Sequence, residues 1–175
     1  MSKVIDNGAT FEVAGIEFIK FPYADGMVAA VARNILFRST FGDNNNLTTS
    51  KVLRTLQSEI LPSIIKAVGE ENVCEFETDL TTLDGLKPYP VLESKISLPT
   101  LDFYRQNVEI FDKYKVNSWW WLATPESSHE HSNSNWTLCV SPDGIMDCSI
   151  YDSNFGVRPF LIFKSSIFES FENER

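Results

Sequence analysis

The sequence is short of the residues that carry most protein chemistry. Its 175 residues include two histidines and three cysteines. Cys74, Cys139 and Cys148 show no Cys-x-x-Cys or Cys-x-x-His spacing, so the common zinc-module patterns are missing. A sparse, odd set of this kind fits a reducing cytosol, where such thiols serve as small buried hydrophobes. Bases are also scarce: 15 Lys and Arg stand against 24 Asp and Glu, a net charge of -9. A direct nucleic-acid binder needs a basic face to displace counterions. Direct nucleic-acid binding is therefore not expected, and the acidic balance favours protein partners with a basic surface. No apolar run approaches the ~20 residues that cross a bilayer. Residues 1–10 lack the apolar stretch of a signal peptide, and the expectation is a cytoplasmic protein without membrane association. There is no glycine-rich phosphate loop and no Gly-x-Ser-x-Gly. Two loop histidines give little support to a Ser–His–acid triad. The chain reads as a non-enzyme that requires no cofactor and no metal.

What is abundant is apolar and aromatic. Hydrophobic residues make up 43% and phenylalanine occurs 13 times, enough for the core of a single domain. Aromatic residues in short segments favour β structure. Thr10–Val13 and Ile16–Phe21 read as strands around an Ala14-Gly15 turn. Further strands are expected at Met27–Ala32 and Ile35–Phe41, although the alanines of the first are poor strand formers. Val52, Leu53, Leu56, Ile60, Ile64 and Val68 recur as one helical stripe. Thr48 or Thr49 is placed to cap this helix, Pro62 to kink or split it, and Gly69 to stop it. A half-exposed strand is expected at 73–78, another at Ile96–Leu98, and a second helix after the cap Thr100, through Leu101, Tyr104 and Phe111. The last third reads as β: Ser118–Leu122, then a hairpin through Ser141-Pro142-Asp143-Gly144, a turn at Asn154-Phe155-Gly156, and a buried strand at 157–163. Cys139 and Cys148 flank that hairpin and are placed to face each other. Ile167, Phe168 and Phe171 suggest a short helix or an acidic tail at 164–175.

Six acids, Glu70, Glu71, Glu75, Glu77, Asp79 and Asp84, crowd residues 70–84. Such a run forms either a contact surface for a basic partner or a solvated strand face. His129 and His131 with Glu126 and Glu130 make a weak metal pattern in a loop that presets no geometry. Asp143, Asp147 and Asp152 make an equally weak calcium pattern.

Trp119-Trp120-Trp121-Leu122-Ala123-Thr124-Pro125, then Val140-Ser141-Pro142-Asp143-Gly144, then Phe155-Gly156-Val157-Arg158-Pro159 resembles the WWLRSP…DG…GVRP signature of an uncharacterised bacterial and phage domain family. The resemblance spans most of residues 40–163. It implies an α+β, C-type-lectin-like fold of the formylglycine-generating-enzyme branch, with mixed β-sheets and two main helices. It divides the chain into an N-terminal β region (1–41), the signature region (42–163) and the tail. Ala123 stands where the family usually has Arg. Trp119 and Trp121 share one strand face and Trp120 takes the other. Gly156 marks a close approach, Arg158 a clamp onto carbonyls or a carboxylate, and Pro159 completes the motif. No catalytic cysteine of the enzyme branch can be matched here. The reading is a binding module, encoded by a phage or mobile element and acting in the bacterial host cell, with an inhibitor of a nucleic-acid-targeting defence complex as its sharpest form. The alternatives are a carbohydrate-binding or virion receptor-binding protein, and a cysteine- or metal-dependent enzyme.

Overall fold

Ala14 and Gly15 both take positive φ, 54° and 75°, which a tight two-residue hairpin turn requires. In the computed structural model, which describes residues 5–128 and 135–169, this turn joins β1 (Thr10–Val13) to β2 (Ile16–Phe21), with Val13 opposite Ile16. β3 (Met27–Ala32) pairs with β2, and β11 (Phe160–Lys164) pairs with β3, giving a four-stranded antiparallel sheet ordered β1-β2-β3-β11. Ala29, Ala30 and Ala32 are fully buried between those neighbours, so packing overrides their weak strand propensity.

The second sheet runs β4 (Phe37–Ser39), β10 (Phe155–Val157), β7 (Trp120–Pro125), β8 (Trp136–Val140) and β9 (Met146–Ile150). Its one parallel contact sets Gly156 against Trp120, so the tryptophan and Gly-Val-Arg-Pro stretches lie side by side. A two-stranded ribbon pairs β5 (Phe76–Thr78) with β6 (Leu92–Ser94). The architecture is mixed α and β, an α+β arrangement.

Ser50 caps α1 (Lys51–Thr55): its hydroxyl accepts from Leu53 N–H at 3.0 Å. Thr48 and Thr49, expected as caps, instead sit in a single turn that Asn46 caps. The helix widens into a π turn at Leu56–Ile60 and resumes as α2 (Leu61–Val68). Pro62 cannot donate its backbone bond, and the irregular turn lies just upstream of it. Thr100 caps α3 (Leu101–Gln106), which breaks at Asn107 before α4 (Val108–Phe111).

Five further sequence expectations are corrected. The tryptophan strand begins at Trp120, not Ser118. Residues 96–98 form no strand; Ser97 makes one bridge to Phe160. Residues 154–156 do not turn: Gly156 is within β10, and the single strand expected at 157–163 is divided, because Pro159 has no N–H with which to continue a ladder. Cys148 lies opposite Leu138, not Cys139. The two thiols therefore point to different faces of the hairpin, and all three cysteines are free. Residues 170–175, including Phe171, fall outside the described region; Ile167 is buried and Phe168 packs against Phe11 at 5.1 Å.

Alternation along the strands feeds two cores. Phe18, Trp121 and Phe163 join Leu56 and Ile64 from the first helical segment. Ile19, Trp120 and Ile162 join Tyr104 and Phe111 from the second. Trp119, half-buried, stacks on Phe155 at 5.7 Å.

Arg158 fastens the two sheets together. It is 1% exposed. Its Nε donates to the Ala32 carbonyl at 2.9 Å, and its Nη2 to those of Arg33 and Tyr114 at 3.0 and 3.4 Å. The guanidinium lies 4.7 Å from the Trp120 ring centroid. Burial pushes it down to about 10, so it stays charged at neutral pH, held by carbonyl dipoles and aromatic faces. Pro159 accepts from Ala32 N–H at 3.1 Å beside it.

Candidate partner-binding surface

From Cys74 to Leu80 exposure alternates, and Glu75, Glu77 and Asp79 fall on the outer side. β6 adds an acid that the sequence did not flag: Glu93 stands directly opposite Glu77. Like charges so placed repel, and among the described residues no ion pair relieves Glu75, Glu77 or Glu93. Hydrogen bonds from the Thr81 hydroxyl and backbone N–H, with Lys87 nearby, hold Asp79 below its ordinary carboxylate value. The other three acids are engaged elsewhere. Glu70 pairs with Lys95 at 3.3 Å. Glu71 covers Gly69, where an added Cβ would come within 2.6 Å of its carboxylate. Asp84 accepts from the Thr82 and Ser127 hydroxyls, tying one turn to another.

Three concavities border the acidic strand. One of about 190 Å³ lies among Asp79, Thr82, Leu83, Thr100 and Arg105. One of about 280 Å³ is lined by Glu77, Asp79, Lys87, Tyr89 and Val91. One of about 120 Å³ includes Tyr23, Phe76, Phe103 and Phe160. They share lining residues, among them Asp79, Glu77 and Thr100. Each has one strongly exposed apolar side chain at its wall: Leu83, 53% exposed; Val91, 50%; and Tyr23, 51%. All three volumes fall below the ~300–1,000 Å³ of pockets that enclose whole small ligands.

Asn45 was not singled out by its sequence context, yet it is fully buried and structural here. Its amide donates to the carbonyls of Ser127 and Trp136 at 2.9 and 3.0 Å, and its own carbonyl accepts from the Tyr89 hydroxyl. It thereby closes both ends of the polar segment between β7 and β8. His129, Glu130 and His131 of that segment lie outside the described residues. Among those described, no group of three or more His, Cys, Asp or Glu is placed to hold a metal. No helix among them is long and apolar enough to cross a membrane.

The hairpin thiols are held protonated. Burial, with Asp147 and Cys148 adding repulsion, pushes Cys139 up to about 12; burial, then Glu126 and Asp147, push Cys148 up to about 11. A nucleophilic cysteine needs the opposite shift. Raised values mean that stability from the protonated thiols is whole below their ordinary 9.0 and is lost as pH climbs through about 11 and 12. Replacing both cysteines by alanine is expected to flatten the fall in denaturant midpoint between pH 9 and 11. In the unaltered protein, Cys139 is expected to react with a thiol reagent only on unfolding; rapid native labelling would contradict the packing.

With this geometry in view, one comparison identifies a segment. Residues 88–165 match the family model described as a domain of unknown function, DUF6273. No curated protein and no solved structure matches the chain. The matched segment contains β6 to β11 and both α3 and α4, with all three motif blocks. Its sheets are completed from outside: β3 pairs with β11, β4 with β10 and β5 with β6. The acidic surface straddles this boundary, with Glu93, Thr100, Phe103 and Phe160 inside and Tyr23, Glu75, Glu77 and Asp79 before it.

Proposed function

We propose that the protein is a non-enzymatic binding module that takes a basic protein partner on the outer face of β5 and β6. One observation carries this reading: Glu77 confronts Glu93, unneutralised, on a face whose adjoining hollows display Tyr23, Leu83 and Val91. Repulsion retained at a cost in stability, beside exposed apolar anchors, suits a surface completed by a cationic partner. The motif blocks support placing the chain among C-type-lectin-like modules of phage or mobile-element origin, acting in the cytoplasm of a bacterial host. A basic channel of a nucleic-acid-targeting defence complex is the partner this surface would suit best. Burial of Trp120 and Trp121 weighs against a carbohydrate platform, and the protonated thiols weigh against cysteine catalysis.

Capture from bacterial lysate tests the reading with the E75Q/E77Q/E93Q variant as comparison. The partner held by the unaltered chain is expected to be lost by the variant and released as salt rises. Capture that the variant retains in full, or that salt leaves unchanged, overturns it. E77Q alone is expected to stabilise the free protein by about 0.2–1 kcal/mol at low salt, with the gain shrinking as ionic strength rises. Denaturant unfolding at two salt concentrations checks this.

A further inference from the structure

We propose that the hollow between β5, β11 and α3 holds the trimethylammonium head of a methylated lysine on the partner. Tyr23, Phe76, Phe103 and Phe160, distant in sequence, converge there around about 120 Å³, with Glu77 at the border shared with the acidic face. Phe160 fixes the corner: Phe76 and Phe103 meet it edge to face, with centroids at 5.1 and 4.8 Å. Tyr23 forms the open wall, half exposed to solvent. Aromatic faces attract a cation through their quadrupoles, and a quaternary ammonium asks for no hydrogen bonds. An unmodified lysine brings three donors. Drawing those N–H groups out of water and in among ring faces is costly, whereas a quaternary head has none to satisfy. A neutral apolar head would cover Glu77 without answering its charge. The volume suits one side-chain head rather than a whole cofactor.

This inference rests on the basic-partner reading for its source of lysine, and the two fail separately. The probes are a Lys/Arg-rich peptide with one central trimethyl-lysine, the same peptide with unmodified lysine, and one with the uncharged tert-butyl isostere, titrated by calorimetry. The trimethyl peptide is expected to bind about tenfold tighter than either, a cation–π contribution of about 1.4 kcal/mol. Tyr23→Ala is expected to abolish that preference, so that the trimethyl and unmodified peptides bind the variant with equal affinity. E75Q/E93Q weakens all three peptides alike if the acidic face is the docking surface. Equal affinity for isostere and trimethyl-lysine, a preference for unmodified lysine, no binding of any peptide, or free choline binding as tightly as the peptide overturns the inference. In the first two cases the acidic-face reading stands.

Discussion

Arg158→Ala is expected to lower the free energy of unfolding by about 3–5 kcal/mol, the largest effect foreseen for any single substitution in this protein. Each buried carbonyl that loses its donor costs about 1–3 kcal/mol when water cannot replace it. The fully buried carbonyl of Ala32 and the part-buried ones of Arg33 and Tyr114 lose theirs at once. The space vacated beside Trp120 and Phe111 adds a cavity. Arg158→Lys keeps the charge but not the planar fork, and a single ammonium cannot reproduce donation from both Nε and Nη2. Lysine is expected to recover less than half of the loss. Denaturant unfolding of the three proteins measures this directly. A loss below about 1 kcal/mol for alanine would mean that solvent reaches those carbonyls.

Gly156→Ala is expected to cost about 1–3 kcal/mol by overpacking. A Cβ at this position would meet Ile35 Cδ1 at 2.4 Å and both of its Cγ atoms at 2.9 Å. Rotating Ile35 about χ1 exchanges one of those carbons for another, so the side chain as a whole must move. Gly156 N–H also donates to the Trp119 carbonyl at 2.8 Å, which ties its backbone to the strand beside it. The cause is testable because it is local. In an Ile35→Ala background the cost of Gly156→Ala should fall by half or more, a coupling that a double-mutant cycle reads. Additive losses would place the strain elsewhere.

Local chemistry explains which elements were legible in the sequence. β1 and β2 agree with expectation to the residue because the Ala14-Gly15 turn fixes their register by itself, and β3 agrees as well, entered from a turn with Gly26 at positive φ. The hairpin through Pro142-Asp143-Gly144 was legible for the same reason, and Thr100 announced α3. Errors arose where a distant partner decides. Apart from Arg158, Val157 to Phe163 is apolar and all of it is buried, so no periodicity reveals that β10 belongs to one sheet and β11 to the other. Ile96 to Leu98 is as buried as a strand, yet β5 pairs with Leu92–Ser94 instead. The candidate surface divides in the same way. Alternation exposed Glu75, Glu77 and Asp79 in the sequence itself. Glu93 emerged only with the register of β5 against β6. The aromatic hollow draws on Tyr23, Phe76, Phe103 and Phe160, which no window of sequence brings together. Asn45 sits in a run of asparagines that reads as plain loop, and only the fold shows which of them is enclosed.

The pairing of β3 with β11 also has a consequence for biosynthesis. β1, β2 and β3 leave the ribosome with the far edge of β3 open, and its partner is translated only after β4 to β10 and the helices between them. Until then that edge is an unpaired ladder, available to any other extended chain. Closure of the first sheet must therefore wait for synthesis of everything between the two strands, and it depends on contacts of long sequence separation that form slowly. A stalled or truncated chain lacking β11 is thus expected to accumulate as an aggregation-prone species, one that holdase chaperones would retain.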